Sequence, residues 1–127
     1  MNPKQFLILG GIVLVLVGIL GYIGVIGPTP EVSLFGSTWW FDNYENVVHF
    51  LLGVVALIAA VALPHSLQKP LVIIVGLVAL FFAYWSAVVD TNFYGANLES
   101  PADTVLHLVV GVWALAAGLM KDRSMSM

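Results

Sequence analysis

The chain has 127 residues, of which 61% are hydrophobic and only 9% are charged, and its formal net charge is −3. A soluble domain of this length needs far more charge on its surface, so this composition excludes a soluble protein. With four basic residues the chain does not fit a nucleic-acid-binding protein, and with no cysteine it has neither disulfides nor thiolate ligands.

Four apolar stretches follow one another along the chain, and each is close to the roughly 20 residues that cross a bilayer core as a helix. They are residues 6–26, 44–63, 71–89 and 102–120. Helix-breaking residues separate them: Gly27-Pro28 follow the first stretch, Pro64 follows the second, and Pro70 and Pro101 open the third and fourth. The sequence therefore predicts an all-α membrane protein, a four-transmembrane-helix up-down bundle.

Basic and acidic residues fall on opposite sides of this four-span arrangement. The basic side holds Lys4, Lys69, Lys121 and Arg123, and the acidic side holds Glu31, Asp42, Glu45, Asp90, Glu99 and Asp103. Basic residues favour the cytoplasmic side, so we expect a multi-pass protein of the cell membrane with both termini cytoplasmic. The first stretch is longer than the apolar region of a signal peptide, about 7–15 residues, and we expect it to stay as an anchor.

A thirteen-residue segment occurs twice. Residues 45–57 return as residues 103–115 with six of thirteen positions identical, fifty-eight residues later. The same shift of fifty-eight residues aligns Val17-Gly18 in helix 1 with Val75-Gly76 in helix 3. We interpret residues 1–127 as a single transmembrane domain of two helical-hairpin repeats, about 5–63 and 64–121, with the same orientation in the membrane.

Each copy of the segment carries an acid, a histidine four residues on and a glycine four beyond that. The two sets are Glu45, His49 and Gly53, and Asp103, His107 and Gly111. Residues four apart share one face of a helix, so each set forms a line about two turns deep from the helix start. A histidine inside a membrane span is a functional-site hypothesis by default, although a backbone carbonyl or a nearby carboxylate can also satisfy it.

Three ligand hypotheses compete with a purely structural role for the histidines. His49, His107, Glu45 and Asp103 together suit a divalent metal such as zinc, iron or manganese. Alternatively, the two histidines are axial ligands of a haem or a chlorophyll-type pigment, and Gly53 and Gly111 leave room for the flat macrocycle. A third hypothesis is proton transfer or the binding of a quinone head group. The sequence leaves these alternatives open.

The acids and glycines also have ordinary structural roles. Asp42 with Glu45, and Ser100 with Asp103, are spaced as capping boxes at the starts of helices 2 and 4. Small residues on helices 2 and 4, including Gly53 and Gly111, allow close helix packing. On helix 1 we expect one glycine line to pack inside the bundle and another to meet a second copy or a larger membrane complex. The glycines concerned are Gly10, Gly11, Gly18 and Gly21.

Aromatic residues crowd the acidic side, as in an interfacial belt. The connection between helices 1 and 2 is long for a bundle and contains Trp39-Trp40, so it is a candidate lid over the histidines.

The paired motifs N-x-V-H-x3-G from Asn46 to Gly53, and D-x-V-L-H-x3-G from Asp103 to Gly111, support a resemblance. The chain resembles a family of small bacterial four-helix membrane proteins catalogued as a domain of unknown function. That resemblance covers all four spans and implies the fold and a membrane location, but no reaction, ligand or catalytic residue.

No hydrolase motif and no deep carboxylate pair supports catalysis. We therefore expect a non-catalytic accessory, assembly or structural component of the membrane. The alternative is a ligand-binding or redox subunit in which His49 and His107 hold a metal, haem or pigment near the outer face.

Overall fold

The computed structural model describes residues 2–90, 92–93, 96–97 and 102–119. Within them the long helices are α1 (Pro3–Tyr22), α2 (Asn43–Ala62), α3 (His65–Tyr84) and α4 (Ala102–Leu119). A 3-10 turn at Gly36–Thr38 precedes α2, a π-helical turn at Trp85–Val89 extends α3, and the two-residue strands β1 (Asn92–Phe93) and β2 (Ala96–Asn97) pair antiparallel. All four long helices are long and apolar enough to cross a membrane, which confirms the predicted helical membrane bundle.

The helices pack as two antiparallel hairpins, α1 with α2 and α3 with α4. The hairpins meet through an apolar core at the end of the bundle where α1 and α3 begin, where the rings of Phe6 and Trp113 lie edge to face at 4.6 Å. The buried core residues are Phe6, Leu7, Ala59, Ala60, Val72, Ala114 and Ala117. We call this the core end and the opposite end, which holds His49 and His107, the histidine end.

Two helix boundaries differ from the sequence prediction. Helix α1 ends at Tyr22 and not at residue 26, because Gly24 takes a positive φ of 101° and turns the chain away. Helix α3 begins at His65 and not at residue 71, because the amides of Leu67 and Gln68 already donate to the carbonyl of Pro64. Pro70 therefore lies inside α3 and does not open it.

Gln68 is a polar residue buried at the core end. Its Nε2 donates to the carbonyl oxygens of Ala59, Ala60 and Leu63 at 3.3, 3.0 and 3.2 Å, respectively. Ala59 and Ala60 lie in the last turn of α2 and Leu63 is its C-cap, where carbonyls run out of helical amides; the Ala59 oxygen also accepts from the Leu63 amide. The Gln68 side chain thus stabilises the turn that connects the two hairpins.

The contacts inside the two hairpins correspond, but at two different shifts. A Cβ on Gly11 would meet Leu57 and the carbonyl of Gly53, and a Cβ on Gly76 would meet Leu115 and the carbonyl of Gly111. The contacted residues on α2 and α4 are related by fifty-eight positions, whereas the contacting glycines on α1 and α3, Gly11 and Gly76, lie sixty-five positions apart. The structure therefore matches Gly76 with Gly11, and not with Gly18 as the sequence comparison predicted. Seven residues are about two helical turns, so both alignments use the same helix face.

The extra seven residues of the first hairpin lie in the connection between α1 and α2, residues 23–42, which we call the strap. Backbone hydrogen bonds fold it onto itself: the Leu34 amide donates to the carbonyl of Val25, and the Phe41 amide donates to the carbonyl of Ile26, both at 2.8 Å. The Ser33 hydroxyl donates to the carbonyl of Trp39 at 2.8 Å. These bonds bring the last residues of the strap back over the histidine end.

Candidate functional site

The start of α2 is a capping box. The Glu45 amide donates to Asp42 Oδ1 at 2.8 Å, and the Asp42 amide donates to Glu45 Oε1 at 3.3 Å. This confirms the capping box predicted for these two residues. Helix starts leave amides without helical partners. The carboxylate of Glu45, although buried, accepts a hydrogen bond from one such amide, that of Asp42.

Asp103 at the start of α4 is fully buried, and its carboxylate reaches across to the first hairpin. The indole Nε1 of Trp39, in the strap, donates to Asp103 Oδ1 at 3.1 Å. Ser100 and Pro101, which complete the second predicted capping box, lie outside the described residues. Asp103 therefore joins the strap to the second hairpin, a role that the sequence comparison with Glu45 does not suggest.

His107 is satisfied within its own helix. Its Nδ1 lies 2.7 Å from the backbone oxygen of Asp103, and because a carbonyl can only accept, Nδ1 is the protonated nitrogen. In the neutral ring this leaves the lone pair on Nε2, the arrangement that also orients ligating histidines in metal and haem sites. The ring of Phe82 lies beside it, with centroids 5.8 Å apart.

His49 is placed differently from His107. Its Nδ1 is buried and has no hydrogen-bond partner among the described residues. The ring of Phe41, from the strap, stands edge to face against it with centroids 5.2 Å apart. Phe41 in turn contacts Trp39, which donates to Asp103, four residues before His107. The structure thus links His49 to the start of α4, with the His107 ring bonded to its own helix and the half-buried His49 ring packed against Phe41.

Asn46 and Ser86 are buried polar residues that sequence reasoning missed. Asn46 is 2% exposed, and its Nδ2 donates to the Phe41 carbonyl at 3.4 Å, whereas its Oδ1 faces Gly21 and has no hydrogen-bond partner in the described part of the chain. At the corresponding place in the second hairpin, the hydroxyls of Ser86 and Thr104 are 2.6 Å apart. A signal was present in the sequence, since both positions interrupt apolar helix faces.

The structure describes all four residues that were predicted as metal ligands. Among the described residues, no three His, Cys, Asp or Glu side chains are grouped so that they could hold a metal ion. The carboxylates of Glu45 and Asp103 are engaged by the helix start and by Trp39, as described above. Metal ligation by His49, His107, Glu45 and Asp103 stays a prediction.

Gly53 and Gly111 lie in the contacts between paired helices. A Cβ on Gly53 would meet the Gly11 carbonyl and the Val15 amide, each at 2.7 Å, and a Cβ on Gly111 would meet Leu80 Cγ at 2.7 Å. Close packing accounts for both glycines, as their structural interpretation predicts. Contact of either glycine with a macrocycle stays a prediction.

The glycines of α1 face mostly inward. A Cβ on Gly11, Gly18 or Gly21 would strike α2, whereas one on Gly10 would meet only the Phe6 ring of the same helix. Three of the four α1 glycines, Gly11, Gly18 and Gly21, are therefore used inside the first hairpin. Oligomerisation through α1 stays a prediction, and it would have to use Gly10 and the exposed apolar residues around it.

A groove of about 280 Å³ lies on the membrane-facing side of the first hairpin. Among the residues that line it are Gly18, Tyr22, Asn46, Phe50 and Leu51. The groove lies between α1 and α2, and neither His49 nor His107 is among its lining residues. The comparisons with known proteins add nothing to this geometry: no family model, curated protein or solved structure matches the chain.

Proposed function

We propose that this chain is a non-catalytic accessory component of a membrane assembly. The observation that carries the proposal is the hydrogen bond from Trp39 in the first hairpin to buried Asp103 in the second. Together with the Glu45 capping box, it shows that the acidic residues of the histidine end hold parts of the fold together. Carboxylates engaged in this way are poor candidates for general acids or bases, which need access to a substrate.

The outer surfaces of the helices also support a role within an assembly. Large apolar side chains on α1, α2 and α4 are strongly exposed, with Leu16 at 52%, Val61 at 79% and Val112 at 57%. Such surfaces are covered by lipid or by other membrane helices. The cell membrane as its location, with both termini cytoplasmic, remains part of this proposal and rests on the distribution of basic residues.

Native mass spectrometry of the chain extracted in a mild detergent tests the accessory role. We expect a defined complex with further copies or with another chain, and its dissociation in a harsher detergent is the matched control. A monomer that carries one stoichiometric cofactor would contradict the proposal.

A second candidate function is a ligand-binding or redox subunit, and the unpartnered Nδ1 of His49 favours it. A buried polar atom without a hydrogen bond costs about 1–3 kcal/mol, and proteins tolerate this mainly where a ligand or a function uses the atom. His107 offers an oriented Nε2 on α4. Two neutral imidazoles suit a haem, a chlorophyll-type pigment or a soft divalent metal.

Elemental analysis combined with an absorption spectrum tests the second candidate. The purified chain is compared with the double variant His49→Ala/His107→Ala, and His65→Ala, at the start of α3, is the matched control. A metal or chromophore that is near-stoichiometric in the wild type and the control and is lost from the double variant would support ligand binding. Equal, negligible content in all three would contradict it.

A further inference from the structure

We propose that the strap is a gate over the histidine pair, in which Trp39 and Asp103 form the latch and Phe41 is the plug. The gate controls access of small molecules from the histidine end to the buried Nδ1 of His49, whose side chain is otherwise partly exposed. The inference rests on the second candidate function only for the identity of the small molecule that passes the gate.

The latch is a side-chain hydrogen bond between the strap and α4, from Trp39 Nε1 to Asp103 Oδ1. It joins residues sixty-four positions apart, and its acceptor, Asp103, is fully buried. A charge-assisted or buried hydrogen bond is stronger than one in water, but a single bond can still break and re-form readily. The free energy of this one hydrogen bond is therefore small enough for the gate to open and close reversibly.

The plug is held by the latch through ring contacts. The centroids of Trp39 and Phe41 are 5.1 Å apart, and the rings meet edge to face. Phe41 is 0% exposed, and its other neighbour is the His49 ring at 5.2 Å. A movement of Trp39 away from Asp103 is thus transmitted to the aromatic group that covers His49.

The rest of the strap is built to move as a unit. Its internal bonds, from Leu34 to Val25 and from Ser33 to Trp39, stay within the strap and do not depend on α4. The backbone bond from Phe41 to Ile26 likewise ties the plug to the first residues after α1. Opening at Phe41 therefore costs the Trp39 bond, the ring contacts of Phe41 and the bond from Asn46 Nδ2 to the Phe41 carbonyl, while the bonds inside the strap and from Val25 to Leu20 of α1 are kept.

The test measures access to His49 directly, with diethyl pyrocarbonate as the probe and mass spectrometry as the readout. In Trp39→Phe, which keeps an aromatic ring but loses the N–H donor, we expect His49 to be modified about fivefold faster, the factor for losing one hydrogen bond worth about 1 kcal/mol. Trp40→Phe is the matched control and should react as the wild type does. His65, in the turn at the core end, is the internal reference.

An unchanged rate at His49 in Trp39→Phe would overturn the gate. So would equal acceleration at His49 and His65, because it would indicate general loosening of the bundle. No ligand takes part in this measurement, so a failure of the second candidate function and a failure of the gate are seen separately.

A thiol measurement gives a second test that does not depend on the folding of Trp39→Phe. The chain has no cysteine, so Phe41→Cys carries a single thiol, whose labelling by N-ethylmaleimide reports exposure at position 41. Adding Asp103→Asn, which weakens the acceptor while keeping its shape, should increase that labelling rate severalfold. Trp40→Cys should label at the same rate with and without Asp103→Asn. Equal rates at position 41 in the two backgrounds would overturn the latch.

Discussion

The two hairpins share their helix contacts and differ at the histidine end. In the second hairpin, His107 bonds to its own helix, and Ser86 bonds to Thr104 across the helix pair. In the first, His49 Nδ1 has no partner among the described residues, and a strap residue covers the ring. One repeated helix motif therefore gives two histidines with different surroundings, because the segments that connect the helices differ.

The largest effect should come from Gly21→Ser, which places the serine of the second hairpin's polar pair against Asn46 of the first hairpin. A Cβ at Gly21 would collide with the Asn46 amide, so Gly21→Ser alone should lower the free energy of unfolding by about 3 kcal/mol through overpacking. The double variant Gly21→Ser/Asn46→Thr recreates the Ser86 and Thr104 pair and should recover most of that loss. Unfolding by SDS in detergent micelles measures both.

Asn46→Thr alone is the control for this exchange, because it removes the amide without adding a side chain at position 21. If the double variant is as unstable as Gly21→Ser, the two hairpins are not equivalent at these positions, and the sixty-five-residue match between α1 and α3 is wrong.

A smaller difference should separate the two glycines at the helix crossings. The methyl group of Gly53→Ala meets backbone atoms of Gly11 and Val15, which cannot move without shifting a helix, whereas that of Gly111→Ala meets the side chain of Leu80 most closely. We expect a loss of about 2 kcal/mol for Gly53→Ala and about 1 kcal/mol for Gly111→Ala. Thermal unfolding of the two variants in one detergent gives the comparison, and equal losses would contradict it.

The start of α2 should respond to the loss of its cap. Asp42→Ala removes the acceptor for the Glu45 amide and should cost about 1 kcal/mol of stability, whereas Asp42→Asn keeps an acceptor and should cost little. Stability against SDS is again the measurement. A loss as large for Asn as for Ala would show that the carboxylate charge, and not the cap, is what matters.

The smallest expected effect belongs to the second hairpin. Ser86→Ala removes the hydroxyl that bonds to Thr104 and should cost about 0.6 kcal/mol, the average for a hydrogen bond between membrane helices. Thr104→Val should cost a similar amount, and the double variant should cost no more than either alone, because both changes remove the same bond. Additive losses in a double-mutant cycle would contradict a direct bond between the two hydroxyls.

Local sequence patterns predicted the helices well and their boundaries less well. Apolar length placed all four spans, and the spacing of Asp42 and Glu45 predicted a cap that the structure contains. Pro70 misled the prediction of the start of α3, because helix formation begins from the Pro64 carbonyl, six residues earlier in the chain. Boundaries depend on which backbone groups find partners, and residue type alone does not decide that.

The histidine end was predicted only as a set of residues. The repeat identified His49, His107, Glu45 and Asp103, but four-residue spacing describes one helix at a time and gives no distance between helices. The sequence predicted an interfacial belt of aromatic residues and a candidate lid containing Trp39, but it did not indicate which residues the lid contacts. Their partners, Asp103 and His49, are distant in sequence, so no local pattern could reveal the contacts.

By itself the sequence determined the apolar character of the four long helices and the positions of the two histidines along α2 and α4, because these follow from hydropathy and from the fixed rise of a helix. The tertiary structure decided the register of α1 against α2, the bond between Trp39 and Asp103, and the different surroundings of His49 and His107. These depend on how side chains from separate helices and the strap fit together, and a seven-residue shift preserves the helix face while changing which residues meet.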